Sequence, residues 1–93
     1  SNAIIEAMFY KCPIVTTEIP ENKEILENGR EGLLVKIKDY KEMAKKINYL
    51  LENKKLREYL ANNAYKKAKK MFDLKKNIKK YLEIYERMEQ CAE

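Results

Sequence analysis

The spacing of apolar residues in positions 4–38 indicates alternating helices and short strands. An apolar helical stretch runs to Lys11 and is stopped by Pro13, since the residue before a proline is disfavoured in helical geometry. The β-branched run Ile14–Thr17 and the run Gly32–Val35 are typical of buried strands. Glu21–Glu27 suits a short helix that follows a proline and ends at an Asn-Gly stop signal. This order predicts a compact parallel β-α-β unit.

Residues 39–93 change to a helical period and predict three further helices. Asp39 with Glu42 three residues later is a capping-box pattern at the start of the first helix, which Asn53 ends. The second is predicted over Lys54–Met71, and Asp73 is the predicted cap of the third. Their apolar stripes are Met43, Ile47, Leu50 and Leu51; Leu56, Leu60, Ala64, Ala68 and Met71; and Ile78, Leu82, Tyr85 and Met88. We predict core packing for all three stripes.

The length of 93 residues bounds the chain to one small domain, and its 45% apolar content suits a globular fold. Residues 1–3, Ser-Asn-Ala, look like the remnant of a cleaved expression tag and are excluded from the fold prediction. The remaining chain starts without Met, so we expect a piece cut from a longer protein. Residues 4–93 are then divided into an α/β part, 4–38, and a helical part, 39–93.

The inventory of reactive side chains is short. The chain has no histidine, which removes the commonest general base and every Ser-His or Cys-His pair within these residues. Cys12 and Cys91 lie at opposite ends without metal-ligand spacing, and we predict two reduced thiols rather than a disulfide. We therefore predict no catalytic residue, no metal site and no cofactor in this chain.

Ordered motifs along residues 4–87 resemble the C-terminal end of the group 1 retaining glycosyltransferases. The motifs are E-A-M-x4-P-I-V-x-T from Glu6, E-I-L-E-N-G from Glu24, G-L-L-V from Gly32, L-R-x-x-L from Leu56 and Y-L-E-I-Y-E from Tyr81. Each fragment is weakly specific, and the ordered set is more so. The resemblance implies part of a Rossmann-like domain of a GT-B enzyme, in which two such domains face each other across a cleft. It therefore predicts an α/β fragment with a two-stranded parallel β-α-β unit followed by three helices.

The resemblance assigns one site residue. Family members carry two glutamates separated by seven residues before this strand, and Glu6 matches the second one, which accepts hydrogen bonds from the ribose of a nucleotide-sugar. A carboxylate suits that role because it accepts from two hydroxyls at once. The first glutamate would lie upstream of this chain. The alternative is that Glu6 is a helix residue without a ligand.

The sequence also departs from the family pattern after the first strand. Many members have a Gly-Gly pair where this chain has Pro20-Glu21, and a proline loop is stiffer than a glycine pair. We assign no ligand contact to this loop. Glu24 matches the next acidic residue of the pattern, and we interpret it as a helix residue favoured by the dipole or exposed to solvent.

Positive charge is concentrated in the second half. Residues 1–53 have eight Lys or Arg against nine Asp or Glu, whereas residues 54–93 have twelve against six. Lysine pairs between Lys66 and Lys80 are flanked by tyrosines, Tyr59 and Tyr65 before them and Tyr81 and Tyr85 after them. Such a face is usually solvated, but it also suits a membrane surface with anionic lipid or, less well, a nucleic acid. A basic helical binding module is therefore the alternative function.

The preferred interpretation is a part of a hexosyltransferase that transfers a sugar from a nucleotide-sugar donor to an unidentified acceptor. The chain would carry part of the donor-binding site and be inactive alone. We expect a cytoplasmic protein, with contact to the cytoplasmic membrane face as an open alternative. Because only two strands remain, an open sheet edge is expected to drive self-association, most simply as a two-fold dimer through strand edges or terminal helices.

Overall fold

The computed structural model describes the backbone of residues 2–92 and the side chains of residues 3–89. The elements in chain order are α1 (Asn2–Phe9), β1 (Val15–Thr17), α2 (Pro20–Ile25), β2 (Leu33–Val35), α3 (Tyr40–Glu52) and α4 (Lys54–Ala92). The predicted α/β class and the parallel β-α-β unit are confirmed. Helix α1 begins inside the segment that the sequence assigned to a tag remnant.

The two strands form a short parallel sheet. Val15 pairs with Leu33 and Thr17 with Val35. The pairing continues past both strand ends, because Leu33 N donates to the Ile14 carbonyl at 2.9 Å and Glu18 N donates to the Val35 carbonyl at 2.8 Å. Gly32 sits where the strands converge, and a Cβ added there would lie 3.1 Å from the Ile14 oxygen. A residue without a side chain therefore allows this close approach.

Side chains on the two faces of the sheet enter two apolar clusters. Leu34 joins one cluster and its neighbour Leu33 joins the other, as expected where successive strand residues point to opposite faces. The first cluster contains Met8, Ile14, Leu26, Leu34, Ala64 and Ala68, and the second contains Leu33, Leu50 and Leu60. Helix α4 contributes to both clusters, so its first half joins the cores on the two faces.

Helix α3 is fixed at both ends by side chains. The Asp39 carboxylate accepts from Glu42 N at 3.1 Å, which confirms the predicted N-cap. At the other end, Arg57 Nη1 donates to the carbonyls of Leu50 and Leu51 at 2.6 Å each. Both carbonyls belong to the last turn of α3, where the regular helical donors run out, and that of Leu50 also accepts from Asn53 N at 3.2 Å. The connection from α3 to α4 is consequently tight.

The predicted helix break at Asp73 is wrong: α4 continues through it to Ala92, so two helices follow the β-α-β unit in residues 39–92 rather than three. An aspartate can cap a helix only where the chain leaves helical geometry before it. Residues 54–92 contain no glycine or proline that would end a helix. An internal Asp costs only about 0.7 kcal/mol relative to Ala, which the neighbouring strong helix formers offset.

The prediction that the last apolar stripe packs in the core is also wrong for this chain. Ile78, Leu82, Tyr85 and Met88 are all exposed, Leu82 by 57%. The described chain is 63 Å in its longest dimension, and α4 projects beyond the two clusters. Residues 71–89 of α4 are called the α4 arm below. From Leu74 onward the arm's apolar residues belong to neither cluster, whereas Phe72 still meets Phe9 of α1.

Core packing thus predicts different changes in stability when two leucines of α4 are replaced by alanine. Leu60→Ala removes a fully buried side chain and should lower the free energy of unfolding by about 2–5 kcal/mol. Leu82→Ala, its control on the arm, should change it by no more than about 0.5 kcal/mol. Urea unfolding followed by circular dichroism at low protein concentration measures both. Equal losses would mean that the arm belongs to the folded core.

Candidate functional site

The carboxyl ends of the two parallel strands define the candidate site. Residues 18–19 follow β1 and lead into α2, and residues 36–39 follow β2 and lead into α3. Ligands of open parallel α/β sheets bind outside the carboxyl ends of the strands. In the described chain, this edge is therefore where a ligand of the sheet would bind.

A buried asparagine holds this edge together. Asn22 is only 5% exposed, and its Nδ2 donates to the Thr17 carbonyl at 2.8 Å and to Thr16 Oγ1 at 3.2 Å. The bonds join the first turns of α2 to the end of β1. With Pro20 at the first position of α2 fixing φ, the loop between them is stiff. The expected stiffness of this loop is thus provided by two residues rather than by the proline alone.

Glu6 lies on α1, the helix that leads into β1. Ile4, Ala7 and Met8 on that helix pack in the first cluster. Glu6 lies between Ile4 and Ala7 in the sequence but on the opposite, exposed side of the helix. A turn at Lys11, where φ is 56°, carries the chain towards Pro13 and β1. The carboxylate is therefore held on a helix anchored to the core while its charge stays in solvent. This placement leaves it free to accept hydrogen bonds from a ligand.

Glu24 lies in a helix and is exposed to solvent, which is one of the two environments predicted for it from the sequence. It is an exposed residue of α2, one position before half-buried Ile25. The first-turn acidic residue of α2 is Glu21, where the helix dipole favours negative charge. Glu24 lies further along the helix, so solvent exposure rather than the dipole describes its environment.

A second polar cluster lies at the opposite edge, before β2. Glu31 is 4% exposed, and its carboxylate accepts from Lys67 Nζ at 3.1 Å and from Glu27 N at 3.0 Å and forms an ion pair with Arg30 Nε at 3.3 Å. Asn63 Nδ2 donates to the Arg30 carbonyl at 2.9 Å. Because Lys67 and Asn63 belong to α4, these bonds fasten the turn before β2 to that helix.

The same cluster borders a basic cavity of about 320 Å³. Its lining is Glu27, Arg30, Glu31, Asn63, Lys66, Lys67 and Lys70. Glu31 and Glu27 together balance Arg30 and Lys67, so the excess positive charge resides on Lys66 and Lys70. Since this cavity lies before β2 rather than after it, it is not part of the carboxyl-edge site.

The lysines and tyrosines of the alternative binding function are also on α4. Lys75, Lys76, Lys79 and Lys80 are exposed, and so are Tyr81 and Tyr85. No helix within residues 2–92 is long and apolar enough to span a membrane. In the same residues no group of three or more Cys, Asp or Glu side chains comes together in an arrangement able to hold a metal ion. Cys12 is an exposed free thiol, and the side chain of Cys91 lies outside the described residues.

Two polar residues central to these edges were not identified from the sequence. Asn22 and Glu31 are ordinary surface residue types, and their burial depends on partners that the fold supplies. For Glu31 the partner Lys67 is 36 positions away. The only local sequence signal near either residue was the Asn-Gly turn before β2. In this turn Asn28 Oδ1 accepts from Leu34 N at 2.9 Å and Gly29 takes φ 84°.

Comparison with known proteins places this fold and edge in one family. The family model of glycosyl transferases group 1 matches residues 2–67. An uncharacterized glycosyltransferase of Methanocaldococcus jannaschii is 32% identical over 95% of this chain and 22% of its own length. The N,N'-diacetylbacillosaminyl-diphospho-undecaprenol alpha-1,3-N-acetylgalactosaminyltransferase of Campylobacter jejuni is 34% identical over 92% of this chain and 23% of its own length.

A solved structure agrees with the sequence relatives. The C-terminal domain of LpcC, a group 1 family glycosyl transferase of Francisella tularensis, superimposes with a TM-score of 0.67 at 31% identity. The match covers 73% of this chain and 35% of that one. This chain therefore belongs to the group 1 glycosyltransferase family, and the resemblance seen in its motifs is confirmed. It spans about a fifth of the length of the curated relatives described above.

The geometry of the carboxyl edge predicts that Asn22 stabilises the fold. Asn22→Ala removes the donor to a part-buried carbonyl and should lower the free energy of unfolding by about 1–3 kcal/mol. Asn62→Ala, on the exposed side of α4, is the matched control and should change it by no more than about 0.7 kcal/mol. Chemical unfolding measures both, and indistinguishable variants would show that the Asn22 bonds do not hold the edge.

Proposed function

We propose that the protein containing this chain transfers a hexosyl group from a nucleotide-sugar donor to an acceptor, with retention of anomeric configuration. The observation that carries the proposal is the family match over residues 2–67, which includes Glu6 and the whole carboxyl edge. This chain supplies part of the donor side of the site and the helices that close the domain. The free thiol of Cys12 suits a reducing compartment, and we place the reaction in the cytoplasm.

In this proposal Glu6 accepts hydrogen bonds from the ribose hydroxyls of the donor. Its exposed carboxylate on a core-anchored helix supports the role, because the backbone that carries the acceptor does not have to be ordered on binding. The loop after β1, held by Asn22, lies at the same end of the sheet as ligands of such folds. The chain's own residues would thus position the donor, and the groups that stabilise the leaving diphosphate would come from elsewhere in the protein.

The proposed ribose contact predicts the effect of removing one charge. In the longer protein, Glu6→Gln keeps the side chain's shape but loses charge-assisted hydrogen bonds worth about 1.5–3 kcal/mol. Donor kcat/KM should fall roughly ten- to a hundredfold, as measured in steady-state assays with varied donor. Thermal unfolding should be unchanged, since the residue is exposed.

Glu52→Gln provides the control for Glu6, because Glu52 is an exposed helix glutamate at the end of α3. It should leave donor kinetics unchanged. If Glu6→Gln also leaves them unchanged while the protein stays folded, Glu6 has no part in donor binding and the ribose assignment fails.

The proposal also predicts that the 93-residue chain is inactive alone. Preorganised charge that stabilises a leaving group is usually the largest catalytic contribution. The cluster of cations around the basic cavity, Arg30, Lys66, Lys67 and Lys70, lies before β2 and not at the candidate donor edge. Incubation of the purified chain with nucleotide-sugars and water or sugar acceptors should release no more nucleoside diphosphate than a protein-free control. Turnover above that control would contradict the prediction.

A further inference from the structure

The basic cavity before β2 lies between two segments that the fold brings together. One wall is the turn 27–31, and the other is one face of α4. The α4 residues of the lining, spaced by three and four positions and therefore on one helix face, are Asn63, Lys66, Lys67 and Lys70. Asn63 binds the Arg30 carbonyl and Lys67 binds the buried Glu31 carboxylate. Contacts within the chain thus hold the two walls in a fixed relation.

Two of the cations that line this cavity are not balanced by a carboxylate. The two glutamates of the turn pair with Arg30 and Lys67. Among the side chains that the structure describes, no ion pair joins Lys66 or Lys70 to a carboxylate. Because these two lysines are four positions apart on α4, their charges repel each other. An anion bound between them would remove this repulsion.

We propose that the basic cavity binds a small anion that carries a phosphate monoester or diphosphate group, held by Lys66 and Lys70. Side chains four positions apart on a helix have Cβ atoms about 5–6 Å apart, so both flexible lysines reach one phosphate. Each ammonium group donates a charge-assisted hydrogen bond to a phosphate oxygen. A group with two negative charges matches the two unbalanced positive charges, whereas a chloride or a single carboxylate does not.

The lining selects a small and hydrophilic ligand. In the described part of the chain, every residue that lines the cavity is polar or charged. A nucleobase or an acyl chain would therefore find no aromatic or aliphatic side chain to pack against. The volume of about 320 Å³ lies at the low end of the about 300–1,000 Å³ typical of small-molecule sites. The proposed ligand is thus not the nucleotide donor, and this site does not depend on the donor contacts proposed at the carboxyl edge.

Titration of the isotopically labelled 93-residue chain with sodium diphosphate, followed by ¹H–¹⁵N NMR, tests where the anion binds. The Asn63 side-chain amide and the backbone amides of Arg30 and Lys66 should shift in a saturable way, with Kd on the order of 1 mM or below. The backbone amides of Lys76 and Lys80 on the α4 arm should shift no more than they do in sodium chloride of equal ionic strength.

Removal of charge identifies the lysines that bind. Lys66→Gln with Lys70→Gln should raise Kd about tenfold or more, because both charge-assisted hydrogen bonds are lost. Lys76→Gln with Lys80→Gln is the matched control, since it removes the same charge at the same spacing from exposed positions of the same helix. The control should leave Kd within about threefold. Glutamine and lysine have similar helix propensities, so far-UV circular dichroism should show unchanged helix content in both variants.

Two further titrations distinguish a free phosphate compound from a lipid headgroup. Glycerol 3-phosphate in solution and vesicles containing phosphatidic acid present the same monoester group. Saturable binding of the soluble compound assigns a free ligand. Binding to the vesicles alone, abolished by Lys66→Gln with Lys70→Gln, assigns a lipid headgroup at the same site.

Three results would overturn the proposal. One is the absence of a saturable shift with diphosphate, glycerol 3-phosphate and the vesicles. Another is equal weakening in the two double variants, which would show diffuse attraction to the lysines of α4. The third is the absence of binding in the longer protein, measured by the same diphosphate titration, which would show that other segments fill the cavity there.

Discussion

The fold depends on the burial of both faces of a two-stranded parallel sheet by side chains of the surrounding helices, with Met8 of α1 in one cluster and Leu50 of α3 in the other. Two strands alone are not stable in water, and parallel strands need cover on both sides. The first half of α4 contributes to the burial of both faces, with Ala64 and Ala68 in one cluster and Leu60 in the other. The alanines allow α1 to approach closely, and Phe9 meets Phe72 edge to face at 6.2 Å between ring centres.

This packing also orients the two edges of the sheet. Glu31, buried against Lys67, fastens the turn before β2 to α4, while Asn22 fastens the loop after β1 to α2. The edge before β2 is therefore held by charges and the edge after β1 by neutral hydrogen bonds. Glu6 stays exposed on the helix that the same core anchors, so its carboxylate is accessible to a ligand.

Local signals in the sequence predicted the elements that depend on local physics. The β-branched runs, the proline and the Asp39 cap lie within a few residues of what they determine, and all were recognised. Asp73 was misread because capping chemistry is favourable only where the helix ends, and no residue nearby ends α4. The last apolar stripe was misread because periodicity shows that a face is apolar but does not show what covers it.

The residues of the candidate site also differ in whether the local sequence could identify them. Glu6 could be proposed as a site residue from its place in an ordered motif, because the resemblance rests on the spacing between that glutamate and the strand. Asn22 and Glu31 could not be named, since a polar residue is buried only when distant partners satisfy it, and Lys67 is 36 positions from Glu31. Sequence spacing thus locates a motif residue, whereas the hydrogen bonds and ion pairs that support the site can be identified only once the fold is known.

The central claim, taken from the proposed function, is that Glu6 and the carboxyl edge of the sheet contact the donor. A crystal structure of the longer protein with a bound nucleoside diphosphate tests it most directly. The account predicts that the ribose hydroxyls lie within hydrogen-bond distance of the Glu6 carboxylate, about 2.5–3.0 Å between oxygens. A nucleotide bound with its ribose away from Glu6, or in the basic cavity before β2, would contradict it.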